Sequence, residues 1–349
     1  MTSLDSSYIQ SIYTKSKEDL LFGRWITFDH IEQTFSTYDS SSLISYTQIG
    51  ASEESRPIFQ FTLGNGPVKI LIWTQMHGNE STGTKAVFDL LKYINTVEDA
   101  VKDQILNNCT IKIIPVLNPD GAEYYTRVNA HKVDLNRDAV DQKAVESQLL
   151  RKHLEDFDPD FCFNLHDQRT IFGVEGTTNP ATISFLAPSE EVTRKLTPGR
   201  IKTMNVIVAM NQLLQQIIPN HVGRYTDEFY PTATGDNFQK LGYSTILIES
   251  GHFPEDYERE ECRKFTFAAL LKGIHHIATS KSFESYKEYF TIPDNIKNFR
   301  DLIHKYTDKQ SVAFQYEESL KDGTIIFVQK KVQEDISKLL FHKEIVFES

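Results

Sequence analysis

The stretch that decides the fold is Val68-Lys69-Ile70-Leu71-Ile72-Trp73-Thr74, followed at once by Gln75-Met76-His77-Gly78-Asn79-Glu80. The first seven residues form a mostly apolar run, the pattern of a strand buried on both faces of a sheet. The polar cluster comes just where that strand would end. In open α/β sheets the carboxyl ends of strands are where sites are built. Upstream, residues 57–63 read as a second strand, and Gly64-Asn65-Gly66-Pro67 as the turn between the two. Downstream, residues 84–94 place Ala86, Val87, Leu90, Leu91 and Ile94 on one helical side.

The alternation continues. Residues 110–117 (TIKIIPVL), 160–165 and 244–248 (STILI) read as strands. Residues 139–157, 189–218 (with a break near Pro198-Gly199) and 256–278 read as helices. A further helix is expected over residues 18–30 at the N-terminal side. This pattern predicts an α/β layered domain with a central mixed, largely parallel sheet flanked by helices, spanning residues 1–282. Beyond Thr279-Ser280-Lys281-Ser282 the pattern changes. Residues 299–306 look helical, and 312–316 and 324–328 look like strands joined by Asp322-Gly323. Residues 283–349 are therefore expected to form a small C-terminal α+β appendage, too small to be stable alone and so packed on the main domain.

Composition narrows the function classes. The 349 residues are 40% hydrophobic and 24% charged, which is ordinary globular usage. With 37 basic against 48 acidic residues the net charge is −11, a poor balance for a nucleic-acid or anionic-membrane partner. No apolar run reaches the roughly 18 residues of a membrane span. The opening residues 1–7 lack a basic region followed by an apolar core, so a cytoplasmic location is expected. Cys109, Cys162 and Cys262 are too few and too scattered for a disulfide framework and read as unpaired thiols.

Four groups with chemistry fall at or just past four predicted strand ends. His77 and Glu80, three residues apart, are good ligands for a borderline metal such as zinc, although such pairs also occur on solvated helix faces. Asn118-Pro119-Asp120-Gly121 leads into Arg127, Asn129 and Asp134-Leu135-Asn136-Arg137. Two guanidiniums beside an asparagine can grip a carboxylate bidentately, or simply decorate a surface loop. His166 ends the strand 160–165, and Glu249 ends the strand 244–248. Parallel strands would make all four groups converge.

Taken in order, His77-Gly78-Asn79-Glu80, Asn118-Pro119-Asp120-Gly121, Arg127, Asp134-Leu135-Asn136-Arg137, His166 and Glu249 resemble the zinc carboxypeptidase (metallocarboxypeptidase) family, over roughly residues 45–280. The resemblance implies one Zn2+ per chain, held by His77, Glu80 and His166. Glu249 would be the general base on a zinc-bound water, and Arg127 would polarise the scissile carbonyl. Asn136 and Arg137 would hold the substrate's terminal carboxylate, and Asp134 would accept a hydrogen bond from His77. The partner implied is a peptide or small amide with a free carboxylate. Where many members of the family carry Arg, this chain has Asn79. A substrate-facing tyrosine would be Tyr225 or Tyr230, and the side-chain pocket would fall near Thr234-Gly235-Asp236. The aspartoacylase and succinylglutamate desuccinylase group shares much of the pattern, so a zinc amidohydrolase of N-acyl amino acids is an alternative. An inactive binding module of the same fold is another.

Other features read as structure. His252 is expected to be structural or solvent-exposed, and the adjacent pair His275-His276 points about 100° apart on a helix and cannot easily share a metal. Gly64-Asn65-Gly66 lacks the helix and Lys of a phosphate loop, and no Ser sits in a GxSxG setting.

Overall fold

A computed structural model describes residues 4–307 and 310–347. In chain order the strands are β1 (Ile44–Ala51), β2 (Pro57–Leu63), β3 (Val68–Thr74), β4 (Cys109–Ile114), β5 (Phe161–Asp167), β6 (Phe172–Val174), β7 (Ile183–Leu186), β8 (Val222–Arg224), β9 (Ser244–Ser250), β10 (Asn295–Lys297), β11 (Phe299–Tyr306), β12 (Val312–Lys321), β13 (Thr324–Lys331) and β14 (Leu340–Phe347). The helices are α1 (Ser6–Ser16), α2 (Phe28–Phe35), α3 (Thr82–Thr96), α4 (Ala100–Asn108), α5 (Pro119–Glu123), α6 (Val145–Phe157), α7 (Pro198–Ile217), α8 (Thr234–Lys240) and α9 (Glu260–Thr279).

An eight-stranded sheet in the order β1-β2-β4-β3-β5-β9-β7-β8 forms the centre. Its middle strands, β4, β3, β5 and β9, are mutually parallel, and antiparallel pairs flank them on both sides. The architecture is thus the expected mixed, largely parallel α/β sheet. β3 shows why. Ile70 and Ile72 point into the core formed with α3, α7 and α9, while Leu71 and Trp73 point into the opposite core with Leu150, Leu154 and Phe238. Side chains alternate across a strand, so only a strand covered on both faces can be apolar at every position.

Several helix boundaries differ from the sequence reading, each for a local reason. The helix expected over 139–157 begins only at Val145, because the Asp138 carboxylate accepts from the backbone N–H groups of Lys143 and Ala144 and holds that stretch as a turn. The helix expected from 189 begins at Pro198, which occupies the first turn where its missing N–H costs nothing. The carbonyls of Arg194 and Lys195 instead accept from the buried Arg200. The helix expected from 256 begins at Glu260, since Asp256 caps it and Arg259 has a left-handed φ of 58°. Residues 18–27 are loop between α1 and α2 rather than helix.

The larger correction is at 299–306. The helical spacing of Phe299, Leu302 and Ile303 belongs to a strand, β11, paired parallel with β14 and antiparallel with β12. Burial of β11 on both faces produced the helix-like pattern, and pairing partners distant in sequence decided the state. The C-terminal region is a four-stranded sheet in the order β13-β12-β11-β14, with short 3-10 turns and no α-helix among the described residues. It docks on the main body. β10 pairs with β6, and buried Asp301 of β11 accepts from Thr170, Tyr257 and the backbone of Tyr316. All three cysteines are buried and free, and no described helix is long and apolar enough to cross a membrane.

One contact explains why two sequence motifs travel together. A Cβ on Gly78 would lie 1.8 Å from the Gly121 carbonyl carbon and 2.1 Å from the Ala122 nitrogen. The loop after β3 therefore presses backbone to backbone on α5, which opens at the loop after β4. Gly78→Ala is expected to destabilise the fold by about 3 kcal/mol through overpacking, measured by denaturant unfolding. A loss within about 0.5 kcal/mol would show that the two loops separate freely.

Candidate active site

The loop between β3 and α3 is shaped by Gln75. Its backbone is left-handed (φ 50°), and its side chain donates to the carbonyls of Ile26 and Gly78 and accepts from Thr84. A turn then closes with Glu80 N–H donating to the His77 carbonyl at 3.0 Å. This folds the His77 and Glu80 side chains onto one point. His166 reaches the same point from the end of β5, the strand beside β3.

Glu80 is the centre of the cluster. Its Oε1 lies 2.9 Å from His77 Nδ1 and its Oε2 lies 2.9 Å from His166 Nδ1. Asp167 N–H donates to Oε2 at 3.1 Å, and Arg127 Nη1 to Oε1 at 3.3 Å. His77 and His166 are buried, at 1% and 2% exposure, and Glu80 is nearly so. One potential ligand atom from each of His77, Glu80 and His166 lies within 4.8 Å of the other two. His77 Nε2 is bound to Asp134 Oδ1 at 3.0 Å, which leaves Nδ1 facing the cluster. Although close to Glu80, Nδ1 is off the line of a hydrogen bond, so it is a buried nitrogen without a hydrogen-bond partner, as is His166 Nε2. Buried polar atoms without partners are rare in folded proteins. A set of two imidazoles and one carboxylate, with Nδ1 of both rings turned to that carboxylate, the His77 Nδ1 left without a hydrogen bond, and a second carboxylate orienting His77 from behind, fits a zinc ion.

The charges are mutually adjusted. Burial raises the cost of the Glu80 charge, but the two imidazoles more than offset this and hold it well below the usual carboxylate range. Burial likewise works against Asp134, and is outweighed by His77 and Arg127, so Asp134 is also held low. His77 is pulled down by burial and raised further by Glu80 and Asp134, with a net upward shift. Glu249 moves the other way. Burial first, then the nearby charges of Glu80 and Asp167, push its carboxyl well above the ordinary value.

Glu249 stands beside His166. The two are paired in register across β5 and β9, so their side chains share a face of the sheet. The Glu249 carboxylate makes no hydrogen bond to a described residue, which leaves it free to take a proton. Arg127 crosses the mouth of the cluster, its Nε bonded to Asp134 Oδ2 at 3.0 Å. Asn136 and Arg137 lie in a 3-10 turn just beyond Asp134. The Asn136 side chain accepts from Thr234 N–H at 3.0 Å, and the Arg137 guanidinium is exposed and bonded to the Asn136 carbonyl. Neither touches the His77–Glu80–His166 cluster.

Of the two tyrosines, Tyr225 feels the site. Its hydroxyl is raised by burial and then by the charges of Glu249 and Glu80. Tyr230 is exposed, and its hydroxyl donates to Glu228. Asp236 is buried and accepts from Tyr230 N–H, and burial lifts its carboxyl to about 6. Gly235 lies against Pro188. His252 is buried, not solvent-exposed, with its ring 4.1 Å from that of His342. His275 and His276 hydrogen-bond to different partners, Gln104 and Asn205.

The sequence reading passed over Arg259. Its guanidinium is buried, donating to the carbonyls of Ser250 and Gln168 and lying 3.6 Å from Asp167 Oδ2. It thereby staples the end of β9, which carries Glu249, to the end of β5, which carries His166. No local signal marks it, because its partners are nine or more residues away and its backbone sits in a conformation rarely adopted by non-glycine residues.

Known proteins resemble this chain in sequence and in fold. Residues 31–166 match the family model described as zinc carboxypeptidase. Carboxypeptidase SOL1 of Arabidopsis thaliana is 26% identical over 286 residues, covering 72% of this chain and 57% of that protein. Carboxypeptidase D of Anas platyrhynchos is 24% identical over 294 residues, covering 74% of this chain and 19% of that protein. The chain thus spans less than two thirds of these curated relatives. The crystal structure of a metallo-carboxypeptidase from Burkholderia cenocepacia superposes with a TM-score of 0.61 at 19% identity, over 73% of this chain and 70% of that one. That likeness is one of fold.

Because Arg259 pairs with a buried carboxylate and donates to two strand-end carbonyls, Arg259→Gln is expected to cost about 3–5 kcal/mol in unfolding experiments. It is also expected to weaken zinc retention about tenfold in a competition with a chelator, by loosening the segment after His166. Unchanged values for both would show that the strand ends need no staple.

Proposed function

We propose, from the match of residues 31–166 to the zinc carboxypeptidase family model and from the site geometry, that the chain is a zinc carboxypeptidase that hydrolyses the last peptide bond of substrates with a free C-terminal carboxylate. The observation that carries the reading is the pairing of Glu249, free of hydrogen bonds and raised in pKa, in register beside His166 of the metal-competent cluster.

His77, Glu80 and His166 would hold zinc, which supplies a Lewis acid that lowers the pKa of water and favours attack on an amide. Glu249 takes the proton from the attacking water and passes it to the departing amine as the C–N bond breaks. A carboxylate raised in pKa suits that exchange, because it is basic enough to accept the proton and acidic enough to return it. Arg127, fixed by Asp134, donates to the carbonyl oxygen as negative charge builds on it. Arg137 and Asn136 take the terminal carboxylate, the exposed guanidinium offering the fork that such a group matches. Asp134 keeps His77 in the tautomer with Nδ1 available. This places the terminal residue on the side of Asn136 and Arg137, and the rest of the peptide on the far side of Glu80.

The test is mass spectrometry of a mixed peptide library incubated with the zinc-loaded protein. Stepwise loss of single C-terminal residues is expected. An unchanged library, together with hydrolysis of N-acyl amino acids, would overturn the peptide reading in favour of the amidohydrolase alternative. Glu249→Gln is expected to retain zinc, measured by elemental analysis, while losing about 10²–10⁴-fold in turnover. Near-normal turnover would remove Glu249 from the base role. Arg137→Ala is expected to raise KM roughly tenfold or more for free-carboxylate substrates, with little change for their amidated forms. Equal effects on both would exclude the clamp.

A further inference from the structure

A cleft of about 490 Å³ opens at Glu80; Asn136 and Arg137 are not among its lining residues, whereas Gln315, Tyr316, Glu317 and Glu318 of β12, in the C-terminal sheet, form one wall. Resting on the carboxypeptidase reading above, this cleft is where the residues upstream of the scissile bond would lie. The C-terminal region is therefore part of the substrate site as well as a docked sheet.

The charges that line the cleft cancel one by one, with one exception. Arg24 pairs with Glu318 at 2.7 Å, Arg127 with Asp134 at 3.0 Å, and Arg259 with Asp167 at 3.6 Å. On the acidic side, Glu317 pairs with Lys330 at 3.3 Å. Arg169 lines the same cleft, is exposed, and makes no ion pair or hydrogen bond through its guanidinium to a described residue.

Its backbone, by contrast, is pinned on both sides. Gln168 is buried, and its carbonyl accepts from Arg259 while its side chain donates to Ala181 and Ser184. Thr170 is buried, donating to Asp301 at 3.2 Å and accepting at its hydroxyl from Gln315 and at its carbonyl from His342. Asp301, Gln315 and His342 all belong to the C-terminal sheet. That sheet thus holds the segment that presents Arg169, so the guanidinium projects from fixed backbone and capturing a ligand orders only the side chain and no backbone.

We propose that Arg169 is a specificity residue that favours peptides with an acidic side chain one or two positions upstream of the scissile bond. A guanidinium left without a partner in a cleft of paired charges offers bidentate recognition to a carboxylate. The chain's overall charge of −11 repels such peptides at long range, so the preference arises by contact and not by steering.

The probes are two tetrapeptides, Ac-Ala-Glu-Glu-Leu and Ac-Ala-Gln-Gln-Leu, titrated calorimetrically into the full zinc-loaded chain carrying Glu249→Gln. The acidic peptide is expected to bind about fivefold tighter than its amide counterpart, the upper range for an exposed ion pair. Adding Arg169→Gln should bring the ratio to about one, and Arg169→Glu should invert it. Equal binding of the two peptides, no binding of the acidic peptide, or a ratio unmoved by either Arg169 substitution would overturn the proposal. Because the readout is binding, the two readings fail separately: a preference that depends on Arg169 without C-terminal cleavage in the library experiment would sink the carboxypeptidase reading and leave Arg169 as the acid-recognising residue of the cleft.

Discussion

The structure around the site depends on a single constraint, the nearly buried carboxylate of Glu80. An anion taken out of water is tolerated only where positive charge and donors surround it. Here two imidazoles, one guanidinium and one backbone N–H do so, drawn from three different segments of chain. Three of these groups are themselves constrained by another residue. Asp134 fixes both His77 and Arg127, and the N–H that reaches Glu80 belongs to Asp167, whose carboxylate accepts from Thr82 at the start of α3. Placing that one charge requires β3, β5 and the loop after β4 to end at the same level.

Backbone packing supplies the second requirement. The parallel register of β4, β3, β5 and β9 brings their carboxyl ends to one edge, but register alone leaves the loops free to diverge. Contact of Gly78 with Gly121 removes that freedom, since no side chain separates the two backbones. Arg259 performs the corresponding task on the other side, joining the ends of β5 and β9. The pair His166 and Glu249 therefore sits between two fixed points, one made by the absence of side chains and one by a buried charge.

The C-terminal sheet extends this logic outward. Asp301 is fully buried, and its acceptors are satisfied by Thr170, Tyr257 and Tyr316 from both sides of the junction. A buried carboxylate so engaged makes separation of the sheet from the main body costly. The segment between β5 and β6 is thus held from below by Arg259 and from above by β11, β12 and β14, and the cleft beside Glu80 acquires a wall that a lone α/β domain would lack.

Much of this was legible in residues alone. The mostly apolar run of β3 pointed to a strand covered on both faces, and the order His77, Glu80, Asp134, Asn136, Arg137, His166, Glu249 carried the resemblance to a known family. These are local or linear signals, because a strand's period and a motif's spacing are written in neighbouring residues. The helix-like spacing in β11 misled for the same reason: its strand state comes from β12 and β14, which lie elsewhere in the chain. Arg259 and Arg169 had no linear signal at all. What matters about each is the partners it has or lacks, and only the folded chain assigns those. The sequence by itself determined the α/β layering and the set of reactive groups, because burial periodicity and side-chain chemistry are properties of the residues. Tertiary structure decided which groups converge, which charges cancel and which one is left over, because those depend on distances between segments far apart along the chain.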